Sequence, residues 1–269
     1  MDDIHFQFAA PNDATQIANL FSESFSQEVA QLLLYGCRGA SKYIRMHLAA
    51  SLLKSESAYF VAKTTDNAVI AAAELRMQAK GLLLNYIAVH PSHRGKNIGG
   101  RLLSTALHMT GVNSGQIGLD VLHDNLRALE WYGRLGFETT TSVEFLELAP
   151  PSKEVDPAYV SGLPQADLCQ TQFGFSQFNL ITSSGTFSVG RIGDAWFRLT
   201  DPIAVMNPAI FAALKLLDPE RRIFAVVPAF TTPPAQVVRL LAKTHRMEAQ
   251  ILCVKALLSS DCKISRELV

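Results

Sequence analysis

The segment that most limits what this 269-residue chain can fold into runs from Leu82 to Met109. Leu82-Leu83-Leu84-Asn85-Tyr86-Ile87-Ala88-Val89 has the length and continuity of a central strand covered on both faces. A short loop rich in Gly and basic residues follows, His90-Pro91-Ser92-His93-Arg94-Gly95-Lys96-Asn97. Ile98 to Met109 then sets Leu102, Leu103, Ala106 and Leu107 on one face of a helix. A buried strand feeding an amphipathic helix through a short loop predicts an α/β fold. The first backbone N–H groups of such a helix lack intrahelical partners, and the positive end of the helix dipole lies behind them. Gly95, Gly99 and Gly100 remove side chains that would hold a phosphate away from those amides. No Gly-Lys-Ser/Thr follows, which excludes a nucleotide-hydrolysing phosphate loop.

Around this unit the chain reads as further strands and helices. His5 to Phe8 predicts a strand, and Asn12 or Asp13 can cap a helix whose stripe is Ile17, Leu20, Phe21 and Phe25. After Gly36 and Gly39, a helix over Ala40 to Lys54 should bury Tyr43, Ile44, Met46, His47 and Leu48. Tyr59 to Lys63 and Ala68 to Met77 read as a hairpin around Thr65 to Asn67. Ile117 to Leu122 predicts a strand, Leu126 to Leu135 a helix ended by Gly136-Phe137, and Val143 to Leu148 another strand. Pro150-Pro151 and the polar residues to Pro164 read as a linker. Beyond it, strands are expected at Phe187 to Ile192, Trp196 to Thr200 and Ile223 to Val227, with a helix over Pro208 to Leu217. Pro234 to Lys243 reads as a helix and Ile251 to Leu257 as a closing strand. This order matches that of Leu82 to Leu148 and points to an internal duplication. The expected domains are 1–149, a linker at 150–164, and a smaller α/β domain at 165–269.

Lys+Arg (24) and Asp+Glu (24) cancel, so the basic surplus of a nucleic-acid binder is missing. No apolar run approaches the roughly 20 residues of a membrane span, and the acidic start (Asp2, Asp3) has no leader character. Cys37, Cys169, Cys253 and Cys262 form no C-x-x-C pair, as expected of reduced thiols. A cytoplasmic protein without nucleic-acid or membrane partners is the expectation. His90 and His93 have no third ligand nearby in sequence, so no metal is expected.

The stretch Ile87-Ala88-Val89-His90-Pro91, running into Arg94-Gly95-Lys96-Asn97-Ile98-Gly99, resembles the cofactor strand and pyrophosphate loop (Arg/Gln-x-x-Gly-x-Gly/Ala) of the GNAT superfamily of acetyl-CoA-dependent N-acyltransferases. Asn97 stands where that pattern has Gly. Asn tolerates left-handed backbone angles, so the loop shape should survive. Asn125-Leu126-Arg127-Ala128-Leu129-Glu130-Trp131-Tyr132-Gly133-Arg134-Leu135-Gly136-Phe137 is similar to the same family's Asn-x-x-Ala-x-x-x-Tyr-x-x-x-Gly-Phe segment. The resemblance spans roughly Phe6 to Leu148. It implies a GNAT fold, a mixed central sheet flanked by helices, with a second, degenerate GNAT-like copy in the C-terminal half. In that copy Trp196 to Pro202 would replace the cofactor strand, and the loop from Asp201 to Pro208 has no glycine or basic residue to bind CoA.

The resemblance further implies transfer of an acetyl group from acetyl-CoA to a primary amine, by direct attack in a ternary complex. The amides of Ile87, Ala88 and Val89 would bind the pantetheine and polarise the thioester. Arg94, Gly95, Lys96, Asn97, Ile98, Gly99 and Gly100 would hold the diphosphate. Tyr132 would protonate the departing sulfur, and Asn125 would position the pantetheine or a water. An alkylammonium near pKa 10 must lose a proton before it attacks, which calls for a base. Glu74 is the first candidate and His123 the reserve. Each feature also has a plainer reading: a strand–helix turn, a packed aromatic at Tyr132, a solvated carboxylate at Glu74. A non-catalytic acyl-CoA-binding regulatory module is the alternative function, and the acceptor amine and a homodimer stay open.

Overall fold

The computed structural model describes residues 3–49, 56–149, 158–229, 231–233 and 235–267. From the N-terminus come β1 (His5–Phe8), α1 (Ala14–Ser22), α2 (Gln27–Ala30), α3 (Ala40–Ala49), β2 (Ser57–Lys63), β3 (Val69–Gln78) and β4 (Gly81–Val89). Next are α4 (Ile98–Met109), β5 (Gln116–Leu122), α5 (Leu126–Arg134), β6 (Glu138–Ala149), β7 (Tyr159–Ser161) and α6 (Leu163–Phe173). β8 (Phe175–Thr182), β9 (Gly185–Ile192), β10 (Trp196–Leu199), α7 (Pro202–Met206) and α8 (Pro208–Leu217) precede β11 (Arg222–Pro228), β12 (Gln236–Gln250) and α9 (Ile251–Glu267). Two compact units result. The first comprises Met1–Ser24, Ser41–Thr141 and His245–Val269, the second Phe25–Ala40 and Ser142–Thr244. They therefore interleave along the chain, unlike a cut at 149 and 165. Of the expected linker, residues 150–157 lie outside the described residues, and α6 already begins at Leu163.

In the first unit the strand order is β1-β2-β3-β4-β5 followed by β12. Neighbours from β1 to β4 are antiparallel, and β4 and β5 are parallel. Small residues on β3 (Ala71, Ala72, Ala73) are fully buried and let α1 and α4 both pack against it. Leu102, Leu103, Ala106 and Leu107 of α4 fill a core with Leu82, Leu84, Ile117, Leu119, Tyr132 and Phe137. β4 is central as expected, but only Leu82, Leu84 and Ala88 are fully buried. Asp13 precedes α1, yet its carboxylate accepts from the Ala10 amide (2.8 Å) and pairs with Lys63 (2.6 Å) instead of capping a helix amide. Phe25 lies beyond the end of α1 and belongs to the second unit. α3 buries Ile44 but leaves Met46 58 % exposed, and the part of the expected helix over residues 50–54 lies outside the described residues.

The second unit repeats this grammar. Its strand order is β7-β8-β9-β10-β11-β6, antiparallel through β10, then parallel from β10 to β11. The residues of β6 from Val143 to Leu148 pair antiparallel with β11. Thus β7-α6-β8-β9-β10, the pair α7 and α8, and β11 retrace β1-α1-β2-β3-β4-α4-β5 with the same strand polarities. Phe178, Leu180, Val189, Phe197, Phe211 and Ala225 lie in its core. The second unit thus repeats the first unit's topology, but not on the elements expected for it. β7, α6 and β8 were not anticipated, the expected helix over Pro234 to Lys243 is a strand, and the expected closing element belongs to the first unit.

Two elements at the C-terminus reverse the expectation. Residues 236–250 form a strand where a helix over Pro234 to Lys243 was expected, and residues 251–267 form a helix where a strand over Ile251 to Leu257 was expected. Val237, Val238, Leu240 and Leu241 suit a helical stripe over a short window, but the buried Met247 and Ala249 alternate as in a strand. Ile251, Val254 and Leu258, spaced by three and four, are the buried face of α9 in the first unit's core. Among the described residues no helix is long and apolar enough to cross a membrane.

Candidate active site

The site grows from a fork in the first unit's sheet. β4 and β5 pair from Gly81↔Gln116 to Leu84↔Leu119 and no further, although β4 continues for five residues. On its other edge β4 carries a bulge: Glu74 faces Tyr86 and Leu75 faces Leu84, which leaves Asn85 as the extra residue. A bulge bends and twists its strand, and here it falls where β4 leaves β5. A cavity of about 560 Å³ is lined by Ile87, Ala88 and Val89 of β4. Its other walls are the loop to α4, the first turn of α4, and α5.

The loop is set by local chemistry. Ser92 bridges the Nδ1 atoms of His90 (2.7 Å) and His93 (2.9 Å), and the Arg94 Nε donates to the Val89 carbonyl at 3.0 Å. Gly95 has φ +81° and Asn97 φ +53°, the left-handed region in which Gly and Asn cost least. Asn97 is the N-cap of α4, but its side chain caps no helix amide. The first helical bond is from the Arg101 N–H to the Asn97 carbonyl (3.1 Å). The amides of Ile98, Gly99 and Gly100 consequently have no acceptor among the described residues. A Cβ at Gly99 would meet Val89 (3.5 Å) and the Trp131 ring (3.9 Å) only at ordinary contact distance.

α5 supplies the opposite wall. Asn125 is its N-cap, its Oδ1 accepting from the Ala128 amide at 3.2 Å, which leaves the side-chain NH2 available. Tyr132, two turns on, is buried against Trp131 (ring centroids 4.9 Å) and Phe137 (5.6 Å). Burial pushes the Tyr132 phenol well above its ordinary pKa, so it stays protonated. Arg94, Arg127 and Arg134 line the cavity, and the one carboxylate in that lining, Glu130, is paired with Arg134 at 2.7 Å. Open helix amides, a left-handed loop and a surplus of guanidinium groups fit a diphosphate.

Of the residues singled out in the sequence, Ile87, Ala88, Val89, Arg94, Gly95, Asn97, Ile98, Gly99, Gly100, Asn125 and Tyr132 meet around this cavity. Lys96 is exposed and does not line it. Glu74 does not line it either. Its carboxylate is fully buried and accepts from Ser57 Oγ (3.0 Å), Arg76 Nε (2.7 Å) and Asn85 Nδ2 (2.7 Å). His123 is exposed, its ring 6.4 Å from that of His245. Ser24, Arg127, Trp131 and Arg134 line the cavity without having been singled out, and His93, weighed only as a metal ligand, lines it too. The spacing of Arg127, Trp131 and Arg134 by four and three, in the helix of Tyr132, was the signal that could have found them.

In the second unit the turn after β10 differs where it matters. Asp201 Oδ1 accepts from the Ile203 amide (2.8 Å) and Asn207 Oδ1 from the Ala209 amide (3.0 Å). Side chains thus cap both helix starts, and among the described residues Ala229 to Ala235 form no counterpart of α5.

Residues 55–139 match the family model described as "Acetyltransferase (GNAT) domain". Over 152 residues the chain is 28% identical to an uncharacterized N-acetyltransferase, YhfO, of Bacillus subtilis, covering 54% of this chain and 97% of the relative. A tandem GNAT protein from the clavulanic acid biosynthesis pathway superposes with a TM-score of 0.63 at 11% identity, covering 93% of this chain and 99% of its own. A GCN5-related N-acetyltransferase from Sphaerobacter thermophilus gives 0.59 at 12% identity, covering 92% and 96%. Residues 55–139, within the first unit, thus match a GNAT acetyltransferase domain model, and the chain as a whole has a fold similar to that of a tandem GNAT protein.

Proposed function

We propose that the first unit is an N-acetyltransferase that takes acetyl-CoA into the forked cavity and passes the acetyl group to a primary amine. The observation that carries this is the convergence of β4 beyond its fork, the open amides of α4, Asn125 and Tyr132 on one cavity. The amides of Ile98, Gly99 and Gly100, with Arg94, Gly95 and Asn97, hold the diphosphate, and Lys96 adds charge from outside the cavity. Main-chain groups of Ile87, Ala88 and Val89 align the pantetheine and polarise the thioester carbonyl. A hydrogen bond to a charged group contributes about 1.5–3 kcal/mol, so a few such amides suffice to anchor the donor.

In the reaction the free amine attacks the carbonyl carbon, the C–S bond breaks and the thiolate takes a proton from Tyr132. The nitrogen gives up its extra proton to water, from which the phenolate is reprotonated. Burial keeps the phenol neutral, so the proton is present at every physiological pH. It also makes the phenol a weak acid, which gives the proton up only as charge develops on the departing sulfur. The Asn125 NH2 group orients the pantetheine. Free thiol released from acetyl-CoA over a panel of primary amines tests the reading. At least one amine should give turnover, and Tyr132→Phe should lower kcat by about 10²-fold, the lower end for loss of a general acid, with CoA affinity nearly unchanged. Tight CoA binding with no thiol released on any amine would instead make the unit a binding module.

A further inference from the structure

We propose that Glu74 is a positioning residue, which through Asn85 fixes the fork between β4 and β5 and so holds the donor-binding end of β4 in place. The proposal rests on the reading of this cavity as an acetyl-CoA site. Glu74 sits on β3, and its carboxylate ties three adjacent strands together. Ser57 reaches it from β2, Arg76 from β3 itself, and Asn85 from β4. The carboxylate is fully buried and the Arg76 guanidinium 2.7 Å away balances its charge. A proton acceptor needs a free lone pair aimed at the reacting amine. Here both carboxylate oxygens accept from fixed donors of the sheet, and neither belongs to the lining of the cavity.

What Glu74 does hold is the bulge. Asn85 is the one residue of β4 without an opposite number on β3, and the last β4–β5 pair, Leu84↔Leu119, lies immediately before it. An extra residue in a strand leaves the local ladder under-determined. The bond from Asn85 Nδ2 to Glu74 Oε2, at 2.7 Å, supplies the missing constraint at that point. Ile87, Ala88 and Val89, the strand's contribution to the cavity, begin two residues further on. A small change of bend at Asn85 therefore moves all three relative to the amides of α4.

The test compares the intact chain with Asn85→Ala, Glu74→Gln and the double variant. CoA affinity, hydrogen exchange of the 85–89 amides and the pH profile of kcat are read for each. Each single variant is expected to weaken CoA binding about tenfold, a modest case of misplacement at a site. It should also speed exchange at residues 85–89 and leave the shape of the pH profile unchanged. The double variant should be no weaker than the weaker single one, because both break one link. Wild-type affinity and exchange in Asn85→Ala would overturn the proposal. So would a Glu74→Gln protein with wild-type CoA affinity, lost turnover and a flattened acid limb, which is the signature of a base. Should Glu74→Gln fail to fold, Asn85→Ala, at a half-buried position, decides alone. If the wild-type chain binds no CoA, the functional reading falls, while exchange at 85–89 still decides whether the link fixes β4.

Discussion

Asn97 shows how much one backbone angle can carry. At φ +53° an ordinary residue pays about 1–2 kcal/mol, which Asn and Gly largely avoid. Asn97→Ala is therefore expected to lower the unfolding free energy by about 1 kcal/mol in urea titrations, and Asn97→Gly to change it by less than about half that. Tyr132 makes a second statement at this scale. Its phenol is raised by burial, so below the ordinary pKa of about 10 both folded and unfolded chains keep the proton. Above it only the unfolded chain releases the proton, and stability falls as pH rises. Urea midpoints from pH 8 to 11 should drop more steeply for the wild type than for Tyr132→Phe; equal slopes would count against a buried phenol. Asn97, Gly95 and Tyr132 were legible in the sequence because their meaning is local. Glu74 was not, since Ser57 and Asn85, which occupy its carboxylate, lie 17 and 11 residues away.

The elements most easily read are those whose period is unbroken over their full length. α4 and α8 fall where the spacing of their apolar residues puts them, at Ile98–Met109 and Pro208–Leu217. β12 and α9 were exchanged because the change of period falls inside a mixed apolar stretch. Val237, Val238 and Leu240 are exposed on the strand, so they carry no burial signal, whereas Ile251, Val254 and Leu258 carry a helical one. Because these three belong to the first unit's core, they bear on the cavity's own domain. Ile251→Ala, at a side chain with no exposure, should destabilise that unit by about 2–4 kcal/mol in chemical denaturation. A loss below about 0.5 kcal/mol, the usual size of a surface substitution, would mean that α9 is dispensable there.

For the whole molecule, repetition of strand polarity matters more than similarity of residues. Both units run antiparallel through their first four strands and parallel at the fifth, yet their helix starts differ in one physical respect. Asp201 and Asn207 cap the second unit's helices, while Asn97 leaves the amides of α4 open. The equal numbers of acidic and basic residues hide this, because charge is organised locally: guanidinium groups gather around one cavity in a chain with no net charge. Proline-rich composition near 150 suggested contiguous domains, whereas residues 245–269 complete the first unit by non-local packing that local composition does not record. The most direct measurement is calorimetric titration of the intact chain with coenzyme A and, separately, with pantetheine, which lacks the diphosphate and the nucleoside beyond it, and with 3′-phosphoadenosine, which supplies that nucleoside without the diphosphate. Coenzyme A should bind at least about a hundredfold more tightly than either fragment, as loss of two charge-assisted bonds requires; equal affinity for coenzyme A and one of the fragments, or no binding of coenzyme A, would contradict a diphosphate held by the amides of α4.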